Sequence, residues 1–284
     1  MFNFPSFVFF GTDEFAIAVL DTLLEAGVQP ELIVTVPDKP QGKYLRLTPP
    51  PVKVWAGKNK IPCLQPANLR SDLGVSLLKA KSYKLFLIAS YGKLIPPAIF
   101  NLPVRGTVNI HPSLLPAYRG PTPIQTAILD GAEETGATLM LLDAELDHGP
   151  ILKAKSYKLQ AQNFIEVRND LAKLGAELFL EVAPQWVVGE IKTVPQDQTQ
   201  ATFTKKIKKE NGLINLSDNP FFNYRKFLAY QNWPGIYFFV ERNGKQVRVI
   251  ITEAHLADNQ FVIDRVKPEG KKEMPYADFQ RGSR

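Results

Sequence analysis

Phe7–Phe10 is a short apolar run that stops at Gly11, and Phe15, Val19, Leu20, Leu23 and Leu24 then recur at helical spacing as far as Gly27. Leu32–Val36 is a second apolar run. Strand, helix and strand within about thirty residues make a βαβ unit, and such a crossover leaves its two strands parallel. Parallel strands are buried on both faces, so this opening commits the chain to a sheet with helices above and below. Apolar runs at Leu85–Ala89, Thr107–Asn109 and Thr138–Leu142, with a helix-like segment at Ile124–Leu129 between the last two, extend the alternation.

The predicted fold is therefore α/β, with a doubly wound, mostly parallel, Rossmann-like sheet. Ligands in such sheets bind outside the carboxyl ends of the strands. Asn163–Val182 reads as one amphipathic helix whose buried face carries Phe164, Val167, Leu171, Leu174, Leu178 and Val182. Gly189–Thr202 is polar and contains Pro195, the composition of a linker. Beyond it the pattern changes to short strand-like runs at Gly235–Val240, Val247–Thr252 and Gln260–Val266, with Asn243-Gly244 as a hairpin turn. These form a small β-rich module, expected as an OB-like barrel. The division expected is a catalytic domain over 1–189, a linker over 190–202 and a basic β-rich domain over 203–284.

Charge distinguishes the two parts. Residues 201–284 hold fifteen Lys and Arg against nine Asp and Glu, whereas residues 1–200 hold equal numbers, so the whole net charge of +6 lies at the C-terminal end. A basic module beside a neutral one fits contact with a polyanion; a solvated basic surface has the same composition. Cys63 is the single cysteine, so no internal disulfide can form, which fits a reducing compartment. Met1–Phe10 lacks a basic leader and reads as a first strand, not a signal peptide. No apolar run approaches the roughly 18 residues of a membrane span. The chain is expected to be a monomer and to lie in the cytoplasm.

The chemistry concentrates in Asn109-Ile110-His111-Pro112-Ser113-Leu114-Leu115-Pro116 and a distant Asp147. Residues two apart on an extended strand point the same way, so Asn109 and His111 can face one substrate. Asn can hold an oxyanion, His can move a proton near neutral pH, and a carboxylate can orient the His. Taken alone, N-x-H also describes a strand end with a satisfied buried His and a turn-forming Asn. Asn109 and His111 lie at the carboxyl end of their strand, and Asp147 roughly at that of another. Prolines at 112 and 116 stiffen the loop that runs to Gly120. Pro37–Arg46 reads as a Pro- and Gly-rich loop whose Lys39, Lys43 and Arg46 suit phosphates or stacked bases, or simply solvent. Gly11-Thr12-Asp13-Glu14 lacks the G-x-G-x-x-G spacing of a dinucleotide site. The three histidines stand at no ligand spacing, and with one Cys they make no zinc site.

Asn109–Gly120 resembles the N-x-H-x-S-L-L-P-x-x-R-G signature of the folate-dependent formyltransferases, and Asp147–Leu152 their later D-x-G-x-I-L. Phe10–Phe15, Pro37–Gly42, Pro51–Lys53, Lys205–Ile214, Asn232–Gly235 and Pro268–Lys272 are similar to the branch that formylates methionine on initiator tRNA, so the likeness runs nearly full length. It implies transfer of a formyl group from 10-formyltetrahydrofolate, without a metal. It implies Asn109, His111 and Asp147 as catalytic residues. Folate would lie on Ser113, Leu114, Leu115, Pro116, Ala89, Tyr91, Leu141, Leu142 and Asp143, and Phe15 would wall a methionine pocket. tRNA would meet Lys39, Lys43, Arg46, Lys205, Lys206, Lys208 and Lys209. A sugar-nucleotide amine is the alternative acceptor, and a non-catalytic RNA-binding protein is the alternative outside enzymes. The chain departs from the family at Lys43-Tyr44 (usually Arg-Gly), Asp13 (usually Pro) and Thr122 (usually Ala).

Overall fold

Every residue of the first strand, β1 (Phe7–Gly11), is buried, as a strand covered on both faces must be. The computed structural model describes residues 4–42, 44–70, 73–160, 162–242 and 244–282. After β1 come α1 (Glu14–Glu25), β2 (Leu32–Val34), β3 (Lys39–Gln41), β4 (Arg46–Thr48), α2 (Pro51–Lys58), β5 (Cys63–Leu64), α3 (Leu73–Ala80), β6 (Leu85–Ala89), α4 (Pro97–Phe100) and β7 (Thr107–His111). They are followed by α5 (Pro123–Asp130), β8 (Glu134–Leu141), β9 (Ile151–Lys158), α6 (Phe164–Val188), α7 (Pro220–Ala229), β10 (Ile236–Arg242), β11 (Lys245–Ala257), β12 (Gln260–Pro268), β13 (Met274–Pro275) and α8 (Tyr276–Arg281).

Seven strands form one sheet in the order β5-β2-β1-β6-β7-β8-β9. Pairing is parallel from β5 to β7 and antiparallel between β7 and β8. The expected Rossmann-like sheet is present, with a mixed edge. On one face Phe10 packs edge-on against Tyr91 and tilted against Phe86, in a cluster with Val34, Ile88, Ile95 and Ile99. On the other face α6 comes close enough that a Cβ on Gly175 would lie 2.3 Å from Ile110 Cγ2. α1 starts where Asp13 accepts hydrogen bonds from Phe15 N and Ala16 N, an N-cap that the usual Pro at this position could not supply.

The stretch read as a loop over Pro37–Arg46 is instead largely an antiparallel hairpin of β3 and β4, reversed where Gly42 (φ 70°) and Leu45 (φ 48°) take left-handed conformations. Asp38 anchors its base: hydrogen bonds from Lys53 and then Gln65 hold its carboxyl below the usual range. Lys39 and Arg46 are exposed on the hairpin, and Lys43 lies outside the described residues.

The expected β-rich module is a four-stranded antiparallel sheet in the linear order β10-β11-β12-β13. Two compact units divide the chain. One takes the chain up to Arg119 with Thr135–Tyr157 and Arg168–Phe203; the other takes Gly120–Glu134, Lys158–Val167 and everything from Thr204. In the second unit α5 packs on α7, and Arg225 donates to Asp130 O at 3.3 Å, beside the α5 C-terminus where a cation is favoured.

Candidate active site

β7 carries the pair that sequence spacing singled out. The strand runs through His111, two residues further than its apolar run, so Asn109 and His111 share the face opposite Ile110. Ile110 meets Gly175 of α6; Asn109 and His111 therefore face away from that helix. Asn109 is half-buried, and its amide has no hydrogen-bond partner among the described residues. His111 is 4% exposed. Its Nε2 lies 3.0 Å from Tyr118 O, and its Nδ1 lies 3.8 Å from Asp147 Oδ1. A carbonyl only accepts, so in this geometry Nε2 carries a hydrogen. Nδ1 is then the nitrogen that gains or loses a proton, and it is the one facing the carboxylate.

Asp147 reaches this position by a route that the sequence reading did not give. It was placed at a strand's carboxyl end beside His111, but β8 runs against β7. Leu142 N bonds to Thr107 O, so β8 finishes beside the first residue of β7, whereas His111 is the last, ~13 Å further along the strand. The loop over 142–150 must double back. Three features hold it folded. Asp143 accepts from Glu145 N at 2.9 Å and pairs with His148 Nδ1 at 2.6 Å. Asp147 itself is left-handed, at φ 50°. Gly149 sits where a Cβ would be 1.9 Å from Leu141 O. Gln196 adds hydrogen bonds to the carbonyls of Asp147 and Gly149. Nothing in the polar run Gly189–Thr202 marks Gln196 as different from its neighbours, so sequence reasoning missed it.

The Ser113–Pro116 loop is braced from inside. Ser113 is fully buried, its hydroxyl donates to Ala117 O at 2.6 Å, and Thr138 donates to Ser113 O at 2.6 Å. Leu115 N bonds to Thr138 Oγ1 at 3.2 Å, and the Leu115–Pro116 peptide is cis. Ser113 and Asp143 thus spend their side chains on loop shape. At the end of β6, Ser90 donates to Asp13, and Thr12 donates to Tyr91 O at 2.7 Å, so the Gly11–Glu14 turn clamps the Ala89–Tyr91 segment. Tyr91's hydroxyl is buried without a partner among the described residues, and burial pushes it up to about 12. Leu142 packs half-buried against the same cluster as Tyr91. Phe15 is buried at the start of α1, where its N–H donates to Asp13. Lys205, Lys206, Lys208 and Lys209 are exposed, in an extended segment that ends in a single 3₁₀ turn, Lys209–Gly212. No group of three or more His, Cys, Asp or Glu among the described residues could hold a metal ion.

Residues 6–183 match the formyl transferase family. The methionyl-tRNA formyltransferase of Chloroflexus aurantiacus is 41% identical over 256 residues, covering 90% of this chain and 82% of that protein. That of Thermus thermophilus is 36% identical over 297 residues, covering 96% and 95%. HypX from Aquifex aeolicus, solved in complex with tetrahydrofolic acid, shares the fold at a TM-score of 0.68 and 17% identity. The match takes in 98% of this chain but only 47% of that one, so this chain spans about half the length of HypX. With the family match over most of the chain and relatives 36–41% identical over 82–95% of their length, the chain belongs to the methionyl-tRNA formyltransferases.

Proposed function

We propose that this chain transfers the formyl group of 10-formyltetrahydrofolate to the α-amino group of methionine carried on initiator tRNA. The observation that carries the reading is the uncommitted Asn109 amide on the same strand face as a His111 whose proton-exchanging nitrogen faces Asp147 at 3.8 Å.

Two features support a folate beside this strand. The phenol of Tyr91 is buried without a partner among the described residues, which buried polar groups seldom are, and the half-buried Asn109 amide can turn its donors to a ligand. Leu115 and Leu142 supply apolar walls for a flat ring, with backbone groups of residues 89–91, 113–116 and 141–143 around them. Bound there, the folate supplies an activated formyl carbon.

The residues of the chain then act as follows. Asn109 donates a hydrogen bond to the formyl oxygen as negative charge grows on it, a contribution of about 3 kcal/mol for one such donor. As the amine nitrogen bonds to the formyl carbon, His111 takes its proton at Nδ1 and delivers it to N10 as the carbon–N10 bond breaks and tetrahydrofolate leaves, while the bond to Tyr118 O keeps the ring from turning. Asp147 faces the same nitrogen and stabilises the imidazolium that results. Ser113 and Asp143 act through loop shape, and Phe15 walls the methionine side chain. Along the chain the catalytic part is assigned to 1–189 and the basic module to 203–284 with 190–202 between them, while Gly120–Glu134 and Lys158–Val167 belong with the C-terminal unit and Arg168–Phe203 with the first. In that module Lys205, Lys206, Lys208 and Lys209, with Lys39 and Arg46 of the hairpin and Lys43 between them in sequence, meet tRNA phosphates. The protein works as a monomer in the cytoplasm; no described helix is long and apolar enough to cross a membrane.

Incubation with 10-formyltetrahydrofolate and either methionyl-tRNA or a set of amino-sugar nucleotides tests the reading. Formylation of the tRNA-borne amine is expected, and formylation of the sugars alone would replace it.

A further inference from the structure

Gln196 lies 49 residues from Asp147 in the chain, yet its side-chain amide bridges Arg119 and the Asp147 loop. Oε1 accepts from Arg119 Nε at 3.0 Å and Nη2 at 2.6 Å. Nε2 donates to Asp147 O at 3.0 Å and to Gly149 O at 2.7 Å. This orientation is forced. A guanidinium only donates and a carbonyl only accepts, so a reversed amide would set N–H against N–H at one end and oxygen against oxygen at the other.

Arg119 locks the arrangement. Its side chain is 2% exposed, and among the described residues no carboxylate pairs with it. Its charge is held by the Gln196 oxygen, by Gln198 Oε1 at 2.8 Å, and by the Phe203 ring, whose centre lies 5.9 Å away. A buried cation must keep its acceptors, because an unpaired charge out of water is heavily penalised. Arg119 therefore fixes Gln196, and Gln196 fixes the two carbonyls that flank His148. Those carbonyls belong to the return stretch of the loop, where Asp147 is left-handed and faces His111 at 3.8 Å.

We infer that Gln196, locked by the buried Arg119 guanidinium, is a positioning residue for formyl transfer: it holds the Asp147–Gly149 backbone so that the Asp147 carboxylate faces His111. This rests on the formyl-transfer reading above. Gln196→Glu separates positioning from mere packing. The introduced carboxylate keeps the length and the Arg119 contact, but it loses both donors and sets an anion against two carbonyls. A packing role predicts an active, equally or more stable variant. The positioning role predicts a folded variant of near wild-type Tm whose kcat falls about 10- to 100-fold, the cost of a small misplacement of catalytic groups. KM for donor and acceptor should stay within about threefold.

A second readout does not depend on turnover. In NMR spectra of the full chain, the His111 ring signals and the Gly149 amide should move in Gln196→Glu while signals of β1 and β6 stay. Gln196→Ala, which also strips Arg119 of an acceptor, should show the same movement together with a lower Tm. Wild-type kcat in a folded Gln196→Glu, or unmoved His111 and Gly149 signals, overturns the inference. If the wild-type protein does not formylate methionyl-tRNA, the functional reading fails instead, and the NMR comparison still decides whether Gln196 sets the loop.

Discussion

Asn109 and His111 are neighbours on one face of one strand, but they carry different loads. Asn109 offers a hydrogen bond that matters only when charge develops on the substrate, so Asn109→Ala should lower kcat about 100- to 1000-fold with the fold intact. His111→Ala removes the proton carrier and should also cut turnover strongly. Circular dichroism and steady-state kinetics on the two purified variants check this, and near-normal turnover in either would remove that residue from the mechanism. Asp147→Asn keeps the size and hydrogen-bonding reach of the side chain but deletes the charge beside His111 Nδ1. Turnover should fall, since the imidazolium formed in the reaction loses the anion that faces it. Full activity in a folded Asp147→Asn would leave Asp147 a loop-shaping role only. Cys63 stands apart from this chemistry: burial pushes its thiol up to about 11, so it stays protonated at neutral pH.

Elements differ in how much of them the sequence reveals. β1, α1 and β2 were legible because apolar runs and helical spacing report burial directly. α6 was legible for the same reason, and its start is sealed by Asn163, which accepts from Ile165 N and Glu166 N. The direction of β8 was not legible, because a buried strand has the same apolar composition whether it runs with or against its neighbour. With the direction unknown, the fold-back of the Asp147 loop was hidden too, and so was Gln196, whose importance lies wholly in contacts distant along the chain. The β3–β4 hairpin was missed because its exposed strands carry no apolar alternation. One packing contact at this scale bears on the site. Gly175 lets α6 lie against Ile110, the residue between Asn109 and His111. Gly175→Ala should destabilise the protein by about 1–3 kcal/mol through overpacking, unless the helix shifts outward. Urea unfolding measures it, and an unchanged midpoint would show that the helix yields freely.

At the scale of the whole molecule, the charge excess and the chemistry occupy different stretches of chain. Lys205, Lys206, Lys208 and Lys209 are exposed, and three of the four precede the 3₁₀ turn, so they form an extended row and not a helix face. Each phosphate contact they make should add about 0.7–0.9 to the log–log salt slope of tRNA binding. Reversing all four charges should raise KM for methionyl-tRNA far more than it changes kcat, and leave the folate KM in place. Kinetics at several salt concentrations test this; a wild-type KM would assign the row to solvent. The interleaving of the two units has a further consequence. Gly120–Glu134, with α5, follows directly on the N-x-H motif yet belongs with the C-terminal sheet, where Arg225 meets the end of that helix. Thr122 is part of the same attachment, bonded through its N–H to Thr204 and through its hydroxyl to Lys205 O. A chimera joined at residue 203 would therefore inherit a tail from one parent and the helix meant to pack on it from the other. Exchange of one whole unit between relatives needs five coordinated crossovers, and single-crossover recombinants of this chain should be selected against on assembly before their chemistry is ever tested.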